Sequence, residues 1–167
     1  QAVVGTYGGT GVDLSLYHGH DAADVRQPDT RDNAAVALKA RVVAPAPKVD
    51  PAERPRHPAD RVVIAEAHVR STTMRHPDIP AELRGSYAAM AHPAMIAHWQ
   101  ALGVTTLSLL PVHARADEER LQRLGLSNHW GYSSIGFLAP EPRYWSGRPG
   151  TTPEGEFRQM VRDLHAA

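Results

Sequence analysis

The chain has 167 residues, of which 42% are hydrophobic and 22% charged, so it is long enough for one ordinary domain and is not disordered as a whole. Its 18 basic and 18 acidic side chains cancel to a formal net charge of zero, which gives no electrostatic footprint for nucleic acid or an anionic membrane. Cysteine is absent, which excludes disulfides, thiolate zinc sites and cysteine nucleophiles and agrees with a cytoplasmic location. No apolar run approaches the length of a membrane span.

The first sixty residues predict an irregular segment. Residues 1–11 combine small residues, glycines and threonines without a period, which is typical of a loop. Residues 13–60 are rich in Pro, Asp, Arg and Ala, and within them only Leu38–Val43 favours a short strand. We therefore assign residues 1–60 to an irregular segment that precedes a domain spanning residues 61–167.

A strand, a helix and a second strand are predicted next. Val62–Val69 is β-branched and apolar on both parities, which is typical of a strand buried on both faces of a parallel sheet. After a polar loop over residues 71–85, Pro93 favours the first position of a helix that Gly103 ends. Val104–Val112 is the second strand, and such a unit obliges parallel pairing. The helix is expected to pack through Met95, Ile96, Trp99 and Leu102.

The last predicted helix begins at Thr152, with Pro153 behind it and acidic residues in its first turn. Its apolar residues recur at i, i+3, i+4 and i+7, as Phe157, Met160, Val161 and Leu164. A third strand is expected to follow. The chain begins at Gln1 rather than at a methionine and ends directly after this helical pattern, so we expect a piece of a longer protein.

Two aromatic residues flank a glycine in the central part of the chain. The run Leu107–His113 predicts a strand stopped by proline, so His113 is expected at a site at the carboxyl end of that strand. Trp130 and Tyr132 lie on either side of Gly131, where flat rings can face an open cleft and contact a sugar. The spacing alone leaves open whether these rings are core residues or cleft residues.

Histidine and acidic side chains are the candidates for metal and carboxylate chemistry. Glu66 and His68 would project to one face of the first strand, and His113 ends the second, so the three could meet. Their spacing matches no zinc motif, and a strand-end histidine more often forms hydrogen bonds, so we predict no metal site. The acidic run Asp117–Glu119 is interpreted as the solvated face of a short helix. No phosphate loop or dinucleotide fingerprint is present, and no cofactor is predicted.

Six motifs follow one another along the chain. They are Glu66–Val69, His76–Tyr87, Leu102–Val104, Leu110–Ala114, Trp130–Tyr132 and Ile135–Tyr144. Together they closely resemble the bacterial glycogen debranching enzymes of the isoamylase type, within the α-amylase superfamily. The match covers most of the chain, from Asp29 onward. The resemblance implies an α/β fold in which residues 61–167 form the first two β/α units of a partial (β/α)₈ barrel.

The resemblance also implies a function for the parent protein. It would be a glycosidase that cleaves α-1,6 branch linkages in glycogen, limit dextrin or related α-glucans by a retaining mechanism. In that family the nucleophilic aspartate, the acid/base glutamate and a third aspartate follow later strands, which would lie beyond Ala167. No catalytic residue is therefore assigned here, and the isolated chain is predicted to be inactive. The implied partner is a branched α-glucan, without nucleic acid or membrane.

Substrate contact is what the resemblance carries onto this chain. Tyr132 matches the tyrosine that stacks on the sugar next to the scissile bond, and Trp130 and Asn128 flank that subsite. His113 matches a strand-end residue near the cleft. The chain departs from the family pattern at four positions: Ala65 and His129, where tyrosine is usual, Ser71, where glycine is usual, and Arg115, where phenylalanine is usual.

Two other interpretations stay open. Another enzyme of the superfamily, such as a branching or trehalose-forming enzyme, would share the barrel, although the Pro140–Tyr144 ending favours debranching. A non-catalytic glucan-binding or interaction protein would keep the contact surface without catalysis. In each case, two barrel strands without closing neighbours expose apolar faces and unpaired edges, so we predict self-association.

Overall fold

The computed structural model describes residues 2–4, 28, 30–32, 34, 40–42, 48 and 50–167. The chain divides into two compact units, Gln1–Ala44 and Pro45–Ala167. The predicted start of the domain at residue 61 lies inside the second unit, and the assignment of residues 61–167 to a barrel stays a prediction. None of the helices in the described ranges combines the length and the apolar character that crossing a membrane requires.

The first unit contains strands β1 (Ala2–Val4) and β2 (Ala40–Val42), which pair antiparallel. The loop predicted for residues 1–11 is therefore wrong at β1, because two β-branched valines pair with a strand that is distant in sequence. The short strand predicted within Leu38–Val43 is confirmed over β2. Much of the irregular segment predicted for residues 13–60 lies outside the described residues, and its described end forms the short 3₁₀ helices Pro51–Glu53 and Ala59–Arg61.

The second unit begins with the predicted strand, helix and strand. Strands β3 (Ile64–Ala67) and β4 (Thr106–Leu109) are parallel, with Ala67 opposite Leu109, so both end at the same edge of their sheet. The main-chain N–H of Leu110 donates to the carbonyl of Ala67 at 2.9 Å and extends this pairing by one residue. The predicted parallel unit is confirmed, with both strands shorter than their apolar runs.

Burial of the first strand differs from the prediction. Ile64 is 64% exposed and Glu66 is exposed, whereas Ala67 is buried. The expectation of a strand buried on both faces is thus wrong for the described part of the chain. The physical reason is that Ala67 faces the core formed with α5, whereas Ile64 and Glu66 project to the opposite face, which is left exposed in the described part of the chain.

A short helix, α1 (Val69–Thr73), follows β3 where the sequence predicted a strand end and a polar loop. His68 starts it, because the Nδ1 atom of its ring accepts a hydrogen bond from the main-chain N–H of Ser71 at 3.1 Å. The predicted strand is therefore wrong at Val69, and the predicted loop is wrong at residues 71–73.

Two helices connect α1 to β4, namely α2 (Tyr87–Met90) and α3 (Pro93–Ala101). The predicted start of α3 is confirmed, with Pro93 at its first position, and Gly103 follows it with a φ of 70°. Met95 is buried and Trp99 partly buried, as expected. The predicted contact of Leu102 is wrong: it caps the end of the helix and is exposed.

After β4 come β5 (His113–Arg115), helix α4 (Glu119–Arg123) and β6 (Ser134–Pro140). The strands β5 and β6 are antiparallel and carry a bulge, because Ala114 lies opposite Gly136 while its neighbour His113 lies opposite Pro140. The bulged residues of β6 include Phe137 and Leu138, which are 72% and 80% exposed.

The last element is α5 (Pro153–Ala166), which begins as predicted because the Thr152 hydroxyl accepts the main-chain N–H of Gly155 at 3.1 Å. The predicted apolar stripe is confirmed: Met160 is buried in the core, and the other three stripe residues pack against it. The same core contains Ala67, Val69, Tyr87, Met90 and Tyr144. It lies between the β3–β4 sheet and α5.

Candidate functional site

The turn of residues 128–133 lies at the carboxyl ends of β3 and β4. It packs on His68, which follows β3, and on Pro111, which comes two residues after β4. Gly131 makes the second contact: its φ is 89°, and a Cβ atom there would lie 3.0 Å from the carbonyl oxygen of Pro111. Glycine is therefore needed for the turn to approach this edge of the sheet.

Trp130 and Tyr132, the neighbours of that glycine, are both exposed. Tyr132 is 70% exposed, and Trp130 is 59% exposed with its ring edge-on to the ring of His68 at 6.1 Å. Of the two interpretations that the spacing left open, the structure therefore shows open rings beside the strand ends rather than core aromatics. Flat apolar rings in this position can contact the apolar face of a sugar.

Asn128 is 8% exposed, and its side chain is engaged within the turn. Its Oδ1 atom accepts the main-chain N–H of Gly131 at 2.7 Å, and its Nδ2 atom donates to Glu118 and Ser133 at 2.9 and 3.2 Å. The hydrogen bond from Ser133 and a further one from Asn128 lower the pKa of Glu118. Asn128 therefore fixes the shape of the turn that carries the two rings.

His113 is partly buried in β5, and its ring lies 5.4 Å from that of Phe137 on the bulged part of β6. The ring contacts of Trp130, by comparison, are with His68 and His129. The suggested meeting of Glu66, His68 and His113 does not occur, and the described residues contain no group of three His, Asp or Glu side chains that could hold a metal.

A network of charged residues contacts the turn of residues 128–133 through Asn128. Arg143 donates to Asp117 at 2.8 Å and to the buried Glu141 at 2.7 Å, and Glu141 also accepts the main-chain N–H of Arg115 at 3.0 Å. The interpretation of Asp117 as part of a solvated helix face is wrong, because it precedes α4 and pairs with Arg143. Burial alone would raise the pKa of Asp117, but hydrogen bonds from Arg143 and the N–H of Asn128 outweigh it and lower that pKa.

Buried tyrosines continue this network toward the core. Arg115 donates to the hydroxyl of Tyr144 at 2.7 Å and to the carbonyl of Asn128 at 3.0 Å. The hydroxyl of Tyr87 donates to the carbonyl of Glu141 at 3.0 Å. Burial, and then the nearby Glu141 carboxylate, raise the pKa of Tyr87, so its hydroxyl remains a donor.

Sequence reasoning missed these supporting residues. A usable signal was present, because Arg115 and Asp117 are opposite charges two residues apart, as are Glu141 and Arg143 in reverse order. Since Asp117 follows β5 and the second pair follows β6, the charges indicate that ion pairs can form but not which residues meet. Two of the positions at which the chain departs from the family pattern also meet: the hydroxyl of Ser71 lies 3.0 Å from the Nε2 atom of His129.

Comparison with known proteins identifies relatives of the chain. No protein-family model matches the chain. Over 143 residues, or 86% of its length, the chain is 54% identical to the glycogen debranching enzyme of Yersinia enterocolitica and 51% identical to that of Yersinia pestis. The resemblance to the glycogen debranching enzymes is confirmed. The chain spans 22% of the length of these debranching-enzyme relatives.

Solved structures give the same result for the fold. The type I pullulanase of Bacillus subtilis, complexed with maltose, matches 75% of the chain with a TM-score of 0.56 and 30% identity. A pullulanase of Paenibacillus barengoltzii, in complex with maltohexaose and α-cyclodextrin, matches 68% with a TM-score of 0.52 and 26% identity. In both cases the match covers 19% of the pullulanase chain. The α/β arrangement is therefore shared with these glucan-bound enzymes.

Proposed function

We propose that this chain supplies the opening part of a (β/α)₈ catalytic domain in an α-1,6-glucosidase that debranches glycogen or related α-glucans by a retaining mechanism. One observation carries the proposal. The turn with Trp130 and Tyr132 stands exposed at the common carboxyl end of the parallel strands β3 and β4, where barrel enzymes of this class build their sites. The sequence identity to glycogen debranching enzymes supports the substrate class.

Roles within this site follow from the geometry. Tyr132 stacks on a glucose ring, and Trp130 borders the same subsite with the exposed part of its ring. Asn128 acts indirectly, since its amide already holds the turn. His113, in contact with Phe137, borders the cleft on the side of the antiparallel strands β5 and β6. A cytoplasmic location remains a prediction from the lack of cysteine.

An apolar groove beside β4 can receive a further part of the proposed barrel. A groove of about 620 Å³ lies beside β4 between α3 and α5. Its wall includes the apolar side chains Ile96, Trp99, Leu107, Leu109, Val161 and Leu164. The buried indole N–H of Trp99 has no hydrogen-bond partner among the described residues. We assign this groove to the next β/α unit of the barrel, and without that unit we expect self-association of the chain through the same surface, measurable by sedimentation velocity.

Glucan binding is the direct test of the site. Calorimetric titration of the 167-residue chain with maltohexaose should show binding that Tyr132→Phe retains. Tyr132→Ala should weaken it about fivefold, the loss of one ring contact worth ~1 kcal/mol. Absence of binding, or equal binding by the Tyr132→Ala variant, contradicts the assignment.

Catalysis is tested separately. The resemblance assigns the nucleophile and the acid/base residue to later strands, so the purified chain should release no linear chains from a branched α-glucan. Mixing it with a debranching enzyme from which the matching segment has been deleted should restore release if the chain completes the barrel. Release by the chain alone would overturn the assignment of the carboxylates. Failure to complement, with glucan binding intact, would favour a non-catalytic glucan-binding protein.

A further inference from the structure

His129 connects the aromatic turn to the segment that follows β3. Its ring stacks on the ring of His68, with centroids 4.3 Å apart and planes inclined by 11°. Its Nε2 atom lies 3.0 Å from the hydroxyl of Ser71 in α1, and its own carbonyl oxygen lies 2.8 Å from the Nε2 atom of His68. Three contacts thus fasten one residue, directly before Trp130, to the end of β3.

The hydrogen bonds of His68 show which of its ring nitrogens donates and which accepts. Its Nδ1 atom accepts the main-chain N–H of Ser71, so that nitrogen carries no proton. Its Nε2 atom lies 2.8 Å from the carbonyl oxygen of His129, which can only accept, so Nε2 carries the proton; the hydroxyl of Tyr144 lies 3.2 Å from the same nitrogen. The ring of His68 therefore donates to the main chain of the residue whose ring stacks on it.

The charged surroundings of His129 favour its neutral form as well. The groups that act on its ring come from three elements packed against it: His68 after β3, Arg70 in α1 and Arg115 in β5. All three are cationic when protonated, and no carboxylate is among them. His129 is exposed, but partial desolvation of its ring first, and then these neighbours, lower its pKa.

We propose that His129 is a positioning residue that locks the turn bearing Trp130 and Tyr132 against the end of β3, and that protonation of its ring releases the turn. Where glucan is concerned, this inference rests on the proposed function. The locked turn is the form that presents both rings for binding. A proton on His129 places a third cation beside Arg70 and Arg115 and weakens its stack on His68.

The direction of the pH dependence follows from the lowered pKa. In the released turn, His129 has its ordinary pKa of 6.5 and therefore binds a proton first as the pH falls. In the locked turn its pKa is lower, so the ring resists protonation. The locked turn is therefore most stable at pH values above this ordinary pKa. Its stability falls as the pH decreases from the ordinary pKa of His129 through the lower pKa of the locked form.

The test follows the indole N–H resonance of Trp130 in the ligand-free, 167-residue chain between about pH 7.5 and pH 5. The resonance should shift as the imidazole signal of His129 titrates, with a pKa below 6.5. His129→Phe keeps a flat ring without a titrating proton, so the shift should disappear. Ser71→Ala removes one contact and should move the resonance toward its acid position already at neutral pH. His57→Gln, at an exposed histidine far from the turn in sequence, should behave as the unchanged chain.

The outcomes separate this inference from the proposed function. If the Trp130 resonance does not change with pH, or changes equally in His129→Phe, the lock is overturned. Maltohexaose affinity, measured at both pH limits, should fall at least about threefold at the acid limit in the unchanged chain and stay constant in His129→Phe. If maltohexaose does not bind at any pH while the resonance still titrates through His129, the lock stands and the glucan assignment fails.

Discussion

Glu156, in the first turn of α5, accepts a hydrogen bond at 3.1 Å from the main-chain N–H of Ala88, 68 residues earlier in the chain. The same buried carboxylate accepts the main-chain N–H of Ser146 at 3.1 Å and the hydroxyl of that serine at 2.5 Å. One side chain therefore joins α2, α5 and the segment that follows β6. A first-turn glutamate is usually solvated, and this one is a core residue.

Replacing Glu156 by alanine should lower the free energy of unfolding by about 2–3 kcal/mol, because two main-chain N–H groups lose their acceptor. Glu154→Ala, in the same helical turn, is the matched control. It should cost less than about 1 kcal/mol, the size of a favourable helix-dipole interaction. Urea unfolding followed by circular dichroism measures both variants. Equal losses would show that Glu156 acts only through the helix dipole.

Gly131→Ala should destabilise the chain and weaken maltohexaose binding. Gly147 has a similar positive φ, 76° against 89°, but an added Cβ atom there meets nothing within 4 Å. Both variants place an alanine in the left-handed region, which lowers the free energy of unfolding. Gly131→Ala also creates a close contact with Pro111, which should lower it by a further ~1 kcal/mol or more. Thermal melts of the two variants provide the comparison. A Gly147→Ala variant at least as unstable would rule out the close approach at Pro111.

Asp117→Asn should alter the response to acid. The folded-state pKa of Asp117 lies below its ordinary value of 3.8, so its pairing stabilises the fold fully above that value. This contribution is lost as the pH falls through the lower folded pKa, because the unfolded chain takes up the proton first. Urea midpoints between about pH 6 and pH 3 should therefore fall less steeply in Asp117→Asn than in the unchanged chain. Asp60→Asn, at an exposed carboxylate, should leave the slope unchanged.

Tyr87→Phe should cost about 1–2 kcal/mol of unfolding free energy, because the carbonyl groups of Glu141 and Val112 lose a donor inside the core. Tyr132→Phe removes the same hydroxyl from an exposed ring and should be neutral within about 0.5 kcal/mol. Chemical denaturation of both variants under identical conditions tests this. Matching stabilities would mean that the buried hydroxyl adds nothing.

Local sequence signals predicted much of the fold. Pro93 and Thr152 mark the starts of α3 and α5 through fixed φ and side-chain capping, which depend on a few adjacent residues. The pairing of β3 with β4 followed from the strand–helix–strand order. By contrast, the residue before α1 is His68, whose ring takes the place of the usual capping side chains. The sequence therefore contains no standard start signal for this helix.

The candidate site was predictable only in part. The sequence indicated that Trp130 and Tyr132 could face a cleft, but their exposure depends on how Gly131 approaches Pro111, a contact between distant parts of the chain. The stack of His129 on His68 joins residues that are 61 positions apart. Neither contact follows from spacing, because each requires the strand ends to be brought together first.

The bulge between β5 and β6 separates two pairings that would otherwise be consecutive. One step along β5, from Ala114 to His113, spans the interval from Gly136 to Pro140 on β6. The extra residues of β6 therefore leave the ladder, while the main-chain N–H of Arg115 still donates to Glu141. Phe137 and Leu138 can therefore form an exposed outer contour of the β5–β6 pair without loosening the charged residues at its base.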